Sequence, residues 1–204
     1  MPRYSGWSLV VVLAALVGCH GDPPPPGRPP LVPAEMARRA MELYDTNHDG
    51  RIDAAELTQS PALAALAASL GPQAAEGLTE EQLARRAEAW LKSPSGLVPQ
   101  RLAIDLDERP LAGASVTLEP DACMGPAYYP ASATTDAAGQ CCPGVDPRYG
   151  GLWLGLYRIR ISKLDGGRET IPARYNAQSE LGLETDPTRG SRGAYRQVHL
   201  HSRL

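Results

Sequence analysis

The chain contains the stretch Asp45-Thr46-Asn47-His48-Asp49-Gly50-Arg51-Ile52-Asp53-Ala54-Ala55-Glu56, and these twelve residues decide how its first half is expected to fold. Side chains that carry oxygen stand at the first, third, fifth, ninth and twelfth positions of the stretch. Gly50, at the sixth position, permits the positive φ that a tight bend requires. Because this spacing wraps oxygen atoms around one point, it suits a hard divalent cation.

The stretch resembles the calcium loop of the EF-hand family, and the resemblance covers residues 34–59. In that family Ile52, at the eighth position, would pair with a partner loop. Magnesium would compete for the same oxygen atoms, although a bidentate glutamate at the last position favours calcium. The resemblance implies calcium as the bound ion and six ligand residues: Asp45, Asn47, Asp49, Arg51 through its backbone carbonyl, Asp53 and Glu56 through both carboxylate oxygens.

Helical patterns flank the loop on both sides. Ser60 followed by Pro61 predicts an N-cap and a first helical turn. Thr79 with Gln82 forms a capping-box pattern before another helix. Apolar residues recur at three- and four-residue spacing in the first and last of these segments. The predicted helices cover residues 34–44, 61–70 and 80–91, and a short helical turn covers residues 56–59.

EF-hands usually occur in pairs, so a second loop is expected after the second helix. Placing Leu78 at the eighth position makes residues 71–82 the partner loop. No acidic residue stands at its first, third, fifth or twelfth position, and no glycine at its sixth. We therefore expect a degenerate hand that pairs Leu78 with Ile52 and binds no ion. An ordinary helix–loop–helix is the alternative.

The spacing of apolar residues changes from near four to two after Gly96. Alternating runs separated by turn sequences, such as Asp136 to Gly139, predict half-buried strands. Antiparallel strands of this kind, within about one hundred residues, favour a β-sandwich. The runs cover residues 102–106, 114–118, 157–161 and 197–201.

Residues 97–204 resemble the carboxypeptidase regulatory-like, or transthyretin-like, β-sandwich. The matching stretches are Asp107–Ala114, Thr134–Gly139 and Gly155–Ile161. The resemblance implies a prealbumin-like fold and an accessory or interaction role. Related hydrolases end in Tyr-Arg-Gly-Ser, whereas this chain has Tyr195-Arg196-Gln197-Val198, so their activity is not expected.

The expected fold class is therefore α+β and multidomain. A small α-helical EF-hand module occupies residues 34–92, and an antiparallel β-sandwich occupies residues 97–204. Ser93-Pro94-Ser95-Gly96 is the expected boundary between them, because proline and glycine interrupt regular structure.

The first eighteen residues have the pattern of a signal peptide. Arg3 supplies positive charge, and the apolar run at residues 7–17 is too short to span a bilayer. The sequence Leu16-Val17-Gly18-Cys19 resembles a bacterial lipobox, which implies a lipid on Cys19. A plain secretory signal with a chance cysteine is the alternative.

Residues 19–33 are rich in proline, which predicts a stiff tether between the lipid and the folded part. His20 stands where an aspartate would resemble a signal for retention in the inner membrane. An outer-membrane or cell-surface location is therefore favoured for the exported, lipid-anchored protein.

Three further cysteines follow Cys19. Export favours oxidation, so Cys123 could pair with either Cys141 or Cys142, which would leave one thiol over. Zinc binding by the cysteines is a weaker alternative, because their spacing is not that of a zinc finger.

His199 and His201 share one face of a predicted strand and could contact a metal. A solvated strand face is the simpler interpretation. An enzyme that uses a metal at this pair is the weakest of the functions considered.

The net charge of −3 and the absence of a basic stripe argue against nucleic-acid binding. No triad-like arrangement of nucleophile and base can be assembled, so an enzyme is not expected. We expect a calcium-binding, membrane-anchored envelope lipoprotein with a structural or interaction role. Its partner would be a protein or a cell-wall polysaccharide.

The alternative is a carbohydrate-binding or adhesion module at the cell surface. Exposed aromatic side chains would then form a sugar platform, and the candidates are Tyr128, Tyr129, Trp153 and Tyr175. For Trp153 and Tyr175, packing in the core is the simpler expectation.

Overall fold

The computed structural model describes residues 27–94, 96–146, 148, 150–185 and 195–203. The predicted signal peptide, Cys19 and most of the predicted tether lie outside these residues. Within them the chain forms three α-helices: α1 (Pro33–Tyr44), α2 (Pro61–Leu70) and α3 (Glu80–Lys92). Short 3-10 turns occur at Glu56–Gln59, Gly71–Ala74, Ala122–Met124 and Ala173–Tyr175.

Helices α2 and α3 begin where their capping residues predict, whereas α1 begins without a side-chain cap. The Ser60 hydroxyl accepts a hydrogen bond from the Leu63 amide at 3.1 Å, as an N-cap does. Thr79 and Gln82 form the reciprocal capping box, with bonds of 2.9 and 3.3 Å. The three predicted helices and the turn after the loop are confirmed to within one residue at each end.

Twelve short strands are present in the part of the chain that the structure describes. They are β1 (Arg51–Ile52), β2 (Leu78–Thr79), β3 (Arg101–Leu106), β4 (Arg109–Pro110), β5 (Ser115–Pro120), β6 (Ala131–Thr134), β7 (Gln140–Cys141), β8 (Leu156–Ser162), β9 (Leu164–Asp165), β10 (Arg168–Glu169), β11 (Gly182–Glu184) and β12 (Tyr195–Leu200). One four-stranded sheet has the order β11-β8-β5-β6. The other four-stranded sheet has the order β12-β3-β4, and its fourth strand, β7, also pairs with β3.

One strand pair departs from the antiparallel expectation. β12 runs parallel to β3, with Val198 opposite Ile104. A parallel pair needs a crossover connection rather than a hairpin. Here β11 and β12 are consecutive along the chain but belong to different sheets, so β12 is not joined to β3 by a hairpin. The fold is thus mixed α+β with mostly antiparallel sheets.

The buried faces of β5 and β8 follow the predicted alternation, whereas in β3 the consecutive residues Leu102, Ala103 and Ile104 are all buried. Val116 and Leu118 of β5 lie opposite Ile161 and Ile159 of β8, and all four are buried. Removing this apolar surface from water is the main term that stabilises the sheet.

The helices and sheets share one core. We call residues 33–94 the helical part, and residues 97–185 with 195–203, as far as they are described, the β part. Buried apolar side chains of the two parts form one continuous cluster. Helix α1 packs against α3, and α2 packs against β8 and β11. The expected boundary at residues 93–96 therefore does not separate two cores.

Arg28, near the end of the predicted tether, contacts the helical part. Arg28 donates hydrogen bonds to the carbonyl oxygens of Leu91 at 3.1 Å and Ser93 at 3.0 Å. These carbonyls lie at the C-terminus of α3, where a cation is favoured. Arg28 thus ties the end of the predicted tether to the C-terminus of α3, because it satisfies carbonyls that the helix leaves without partners.

None of the described helices combines the length and the apolar character that crossing a membrane would require.

Candidate metal centre

The candidate loop begins directly after α1. The Asp45 amide donates to the Met41 carbonyl at 3.0 Å and so completes the last turn of the helix. The Asp45 side chain is only 8% exposed. Its two carboxylate oxygens accept hydrogen bonds from the amides of Asp49 at 3.2 Å and Gly50 at 3.1 Å. The first loop residue therefore holds the middle of the loop against the end of α1.

Local turns shape the middle of the loop. The Asn47 side-chain oxygen accepts from the Asp49 amide at 2.9 Å, and Asp49 in turn accepts from the Arg51 amide at 2.9 Å. Side chains of Asn and Asp form such turns readily. His48 and Gly50 take positive φ values of 58° and 84°, respectively. The bend expected at Gly50 is thus present, and a second one occurs at His48.

Asp53 organises the exit of the loop. Its Oδ1 accepts from the amides of Ala55 at 2.8 Å and Glu56 at 3.0 Å. This carboxylate therefore caps the 3-10 turn Glu56–Gln59, where an acidic group is favoured.

Glu56 closes the loop from its last residue back to its second. Oε1 accepts from the Thr46 amide at 2.7 Å, the Thr46 hydroxyl at 2.9 Å and the Asn47 amide at 3.1 Å. Oε2 accepts from the Asp53 amide at 3.0 Å. The bond from Asp53, together with those from Thr46 and Asn47, holds the pKa of Glu56 below its ordinary value. Glu56 is only 5% exposed, so its carboxylate is an internal part of the loop.

The two loops pair as the sequence predicts. β1 and β2 are antiparallel, with Ile52 opposite Leu78 and both side chains fully buried. Gly77 has a φ of 100°, and a Cβ on it would lie 2.8 Å from the Ile52 carbonyl oxygen. A side chain at residue 77 would therefore crowd the pairing. The prediction that Ile52 lies beside Leu78 is confirmed.

The Arg51 side chain does not take part in the loop's hydrogen bonds among the described contacts. Its guanidinium pairs with Glu76 of the second loop at 3.5 Å, on an exposed surface. Such an exposed pair contributes little to stability.

The donor set fits a hard cation in its chemistry. The loop offers carboxylate, amide and carbonyl oxygens and no sulfur or imidazole ligand at the expected positions, which is what Ca²⁺ prefers. As the loop stands, no group of three or more His, Cys, Asp or Glu side chains in the described ranges is gathered to hold a metal ion. The carboxylates of Asp45, Asp53 and Glu56 instead accept hydrogen bonds from backbone amides.

In the described part of the chain, the other candidate residues are not gathered into a second centre. His199 lies beside Asp105 of the neighbouring strand, with 2.7 Å between Nδ1 and Oδ2, and its side chain is largely exposed. Cys123, Cys141 and Cys142 are free thiols, so neither expected disulfide is formed. Cys123 is a buried residue of the turn Ala122–Met124, and its amide donates to the capping side chain of Asp121, whereas Cys142 is exposed. Burial raises the pKa of Cys141 to about 12, which disfavours a thiolate ligand there.

The aromatic residues considered as a sugar platform lie mostly inside the protein. Tyr128, Trp153 and Tyr175 are buried, whereas Tyr129 is 65% exposed. The Tyr128 hydroxyl donates to the Leu154 carbonyl at 3.3 Å. Packing in the core, the simpler expectation for Trp153 and Tyr175, is confirmed, and it holds for Tyr128 as well.

Sequence patterns did not indicate Asp121, although it lies beside the loop in space. It is 8% exposed and accepts hydrogen bonds from Tyr44 and Ser60, which flank the loop. The only local signal is that an aspartate follows Pro120, which suggests a turn.

Comparison with known proteins yields no relative: no family model, curated protein or solved structure matches the chain.

Proposed function

We propose that this protein binds one calcium ion in residues 45–56 and serves as a lipid-anchored envelope protein with a structural or interaction role. The observation that supports calcium binding is the closed loop, in which Glu56 reaches back to Thr46 and Asn47 while Asp45 holds Gly50. These bonds hold the last ligand position beside the second and third residues of the loop, and the first ligand position beside its sixth.

The ion would be held by oxygen atoms alone. The side chains of Asp45, Asn47, Asp49, Asp53 and Glu56 and the backbone carbonyl of Arg51 are the proposed ligands. A bound calcium would supply positive charge to a loop that carries four carboxylates, and so would offset their mutual repulsion. Glu56 would exchange amide donors for the ion, because its two oxygens now accept hydrogen bonds.

One ion per chain is the proposed stoichiometry. The second loop, residues 71–82, begins with the 3-10 turn Gly71–Ala74 and offers no acidic residue at the first, third, fifth or twelfth position. Its contribution is the strand pair of Ile52 with Leu78, which supports the first loop. We therefore propose a structural or weakly sensing site, and not a cooperative two-site switch.

The β part is proposed to be a prealbumin-like interaction module. What supports this is the pair of four-stranded sheets, together with the sequence stretches that resemble the carboxypeptidase regulatory-like family. No catalytic role is proposed. Its partner would be an envelope protein or a cell-wall polysaccharide.

Calcium titration of the full chain tests the proposal. After treatment with a chelator, isothermal calorimetry should show one site per chain with a Kd of about 10⁻⁴ to 10⁻³ M, as extracellular modules show. Magnesium should bind more weakly, because the loop can supply more oxygens than an octahedral ion accepts. No heat up to about 10 mM calcium, which is above that range, would contradict calcium binding.

Lipid attachment is tested in bacterial cells that express the full chain with labelled palmitate. The label and the membrane association should be lost in Cys19→Ala, because acyl chains supply the membrane affinity. Cys142→Ala, which removes an exposed thiol, is the control and should keep both. Equal labelling of the Cys19→Ala chain, or an unlabelled wild-type chain, would exclude the anchor.

A further inference from the structure

A buried carboxylate of the β part lies between the two ends of the candidate calcium loop. Asp121 follows β5 and begins the 3-10 turn Ala122–Met124, where its Oδ1 accepts from the Cys123 amide at 3.0 Å. Only 8% of Asp121 is exposed. A carboxylate that is removed from water to this degree needs hydrogen-bond donors to replace the lost solvation.

The helical part supplies those donors from both sides of the loop. The Tyr44 hydroxyl donates to Asp121, with 3.1 Å to Oδ1 and 3.3 Å to Oδ2. The Ser60 hydroxyl donates to Oδ2 at 2.6 Å. Tyr44 is the last residue of α1 and directly precedes Asp45, while Ser60 follows Glu56 by four residues and caps α2. One carboxylate therefore holds the entry and the exit of the loop together.

The groups around Asp121 are all donors, so they require a hydrogen-bond acceptor at this position. Two hydroxyl groups and a backbone amide all donate to Asp121, and an ionised carboxylate has enough lone pairs to accept all three. Within the described residues, no ion pair joins Asp121 to a cation, so hydroxyl and amide donors carry the contact. Charge-assisted bonds of this kind are stronger than bonds between neutral groups.

A second hydrogen bond joins α1 to the turn that follows Asp121. Arg39 of α1 donates to the Cys123 carbonyl at 3.4 Å, and α1 packs against the turn Ala122–Met124. The turn that carries Asp121 is thus attached to α1 at two points along the helix, while the Asp121 amide donates to the Leu156 carbonyl of β8 at 2.9 Å and ties the same turn to the sheet.

We propose that Asp121 is a positioning residue for the calcium loop, which sets the distance between the two ends of the loop and couples ion binding to the β part. The inference rests on the proposed calcium binding. Coupling between two sites is reciprocal. If the contact of Tyr44 and Ser60 with Asp121 raises the affinity of the loop for calcium, bound calcium stabilises that contact by the same free energy. Calcium bound in the loop then stabilises the turn at residues 121–124.

Asp121→Asn in the full chain tests the coupling. The amide keeps the size of the side chain but loses the charge and one acceptor, so the calcium affinity should fall roughly tenfold. Amide hydrogen exchange distinguishes coupling from a general loss of stability, because it measures which residues calcium protects. Calcium should slow exchange in residues 45–56 and 115–124 of the wild-type chain, but only in residues 45–56 of the variant.

Two further variants keep the test decisive. Tyr44→Phe removes one hydroxyl without a change of shape, so it should retain the fold and reproduce part of the loss in affinity and in protection of residues 115–124. Asp165→Asn makes the same chemical change at an exposed position of β9 and should behave as wild type.

The outcomes separate the two ideas. A wild-type chain that binds no calcium overturns the proposed function and this inference together. A wild-type chain that binds calcium, with unchanged affinity and unchanged protection of residues 115–124 in both Asp121→Asn and Tyr44→Phe, overturns this inference alone.

Discussion

Replacing Glu56 by glutamine is expected to weaken calcium binding by at least about 100-fold, since the loop loses its only bidentate ligand and one of its four negative charges. The substitution also affects the loop without the ion. The Glu56 oxygens accept from the amides of Thr46, Asn47 and Asp53, and an amide nitrogen in place of either oxygen would face donors. The melting temperature of the chain should therefore fall even in the presence of chelator.

Calorimetry and thermal unfolding, each with calcium and with chelator, measure the two effects separately. Glu76→Gln is the matched control, since it makes the same chemical change in the second loop. Glu76 is largely exposed and its pair with Arg51 is 3.5 Å long, so calcium affinity should stay within about twofold of wild type. Equal calcium affinity in Glu56→Gln and wild type would show that the ion, if bound, is held elsewhere.

Much of the helical part could be predicted because its signals are local. The N-cap Ser60 and the capping box of Thr79 involve residues three apart, so short sequence windows contain both partners. The pairing of Ile52 with Leu78 followed from loop numbering, which places both residues at the same position of a repeated unit. Each of these predictions depended on a short or repeated spacing.

The contacts that join the two parts could not be predicted in this way. Asp121 and Tyr44 are 77 residues apart, and neither has a neighbour in sequence that indicates the other. The parallel pairing of β12 with β3 depends on the path between two sheets, whereas the alternation of apolar residues is the same in parallel and antiparallel strands that bury one face. Arg28 lies in a proline-rich segment, and that composition suggested an extended tether.

Gly182 is a further position whose role follows from the tertiary structure alone. It begins β11, and its backbone lies against the first residues of α2, Pro61 and Ala62. A Cβ on Gly182 would overlap the carbonyl group of Pro61 and would lie 2.7 Å from the Ala62 amide nitrogen. All of these are backbone atoms, so no rotation of a side chain can relieve the overlap. The backbone of α2 can approach β11 this closely only because residue 182 has no side chain.

Gly182→Ala is therefore expected to lower the free energy of unfolding by about 3 kcal/mol or more, at the upper end of the usual cost of overpacking. Denaturant unfolding of the full chain measures it. Gly96→Ala is the control, because a methyl group at residue 96 would have no atom within 4 Å and the φ there is outside the left-handed region, so its effect should stay within about 0.5 kcal/mol. Since α2 carries Ser60 at its N-cap, displacement of α2 should also weaken calcium binding through Asp121. Unfolding free energies that are equal for the two alanine variants would contradict the close packing of α2 on β11.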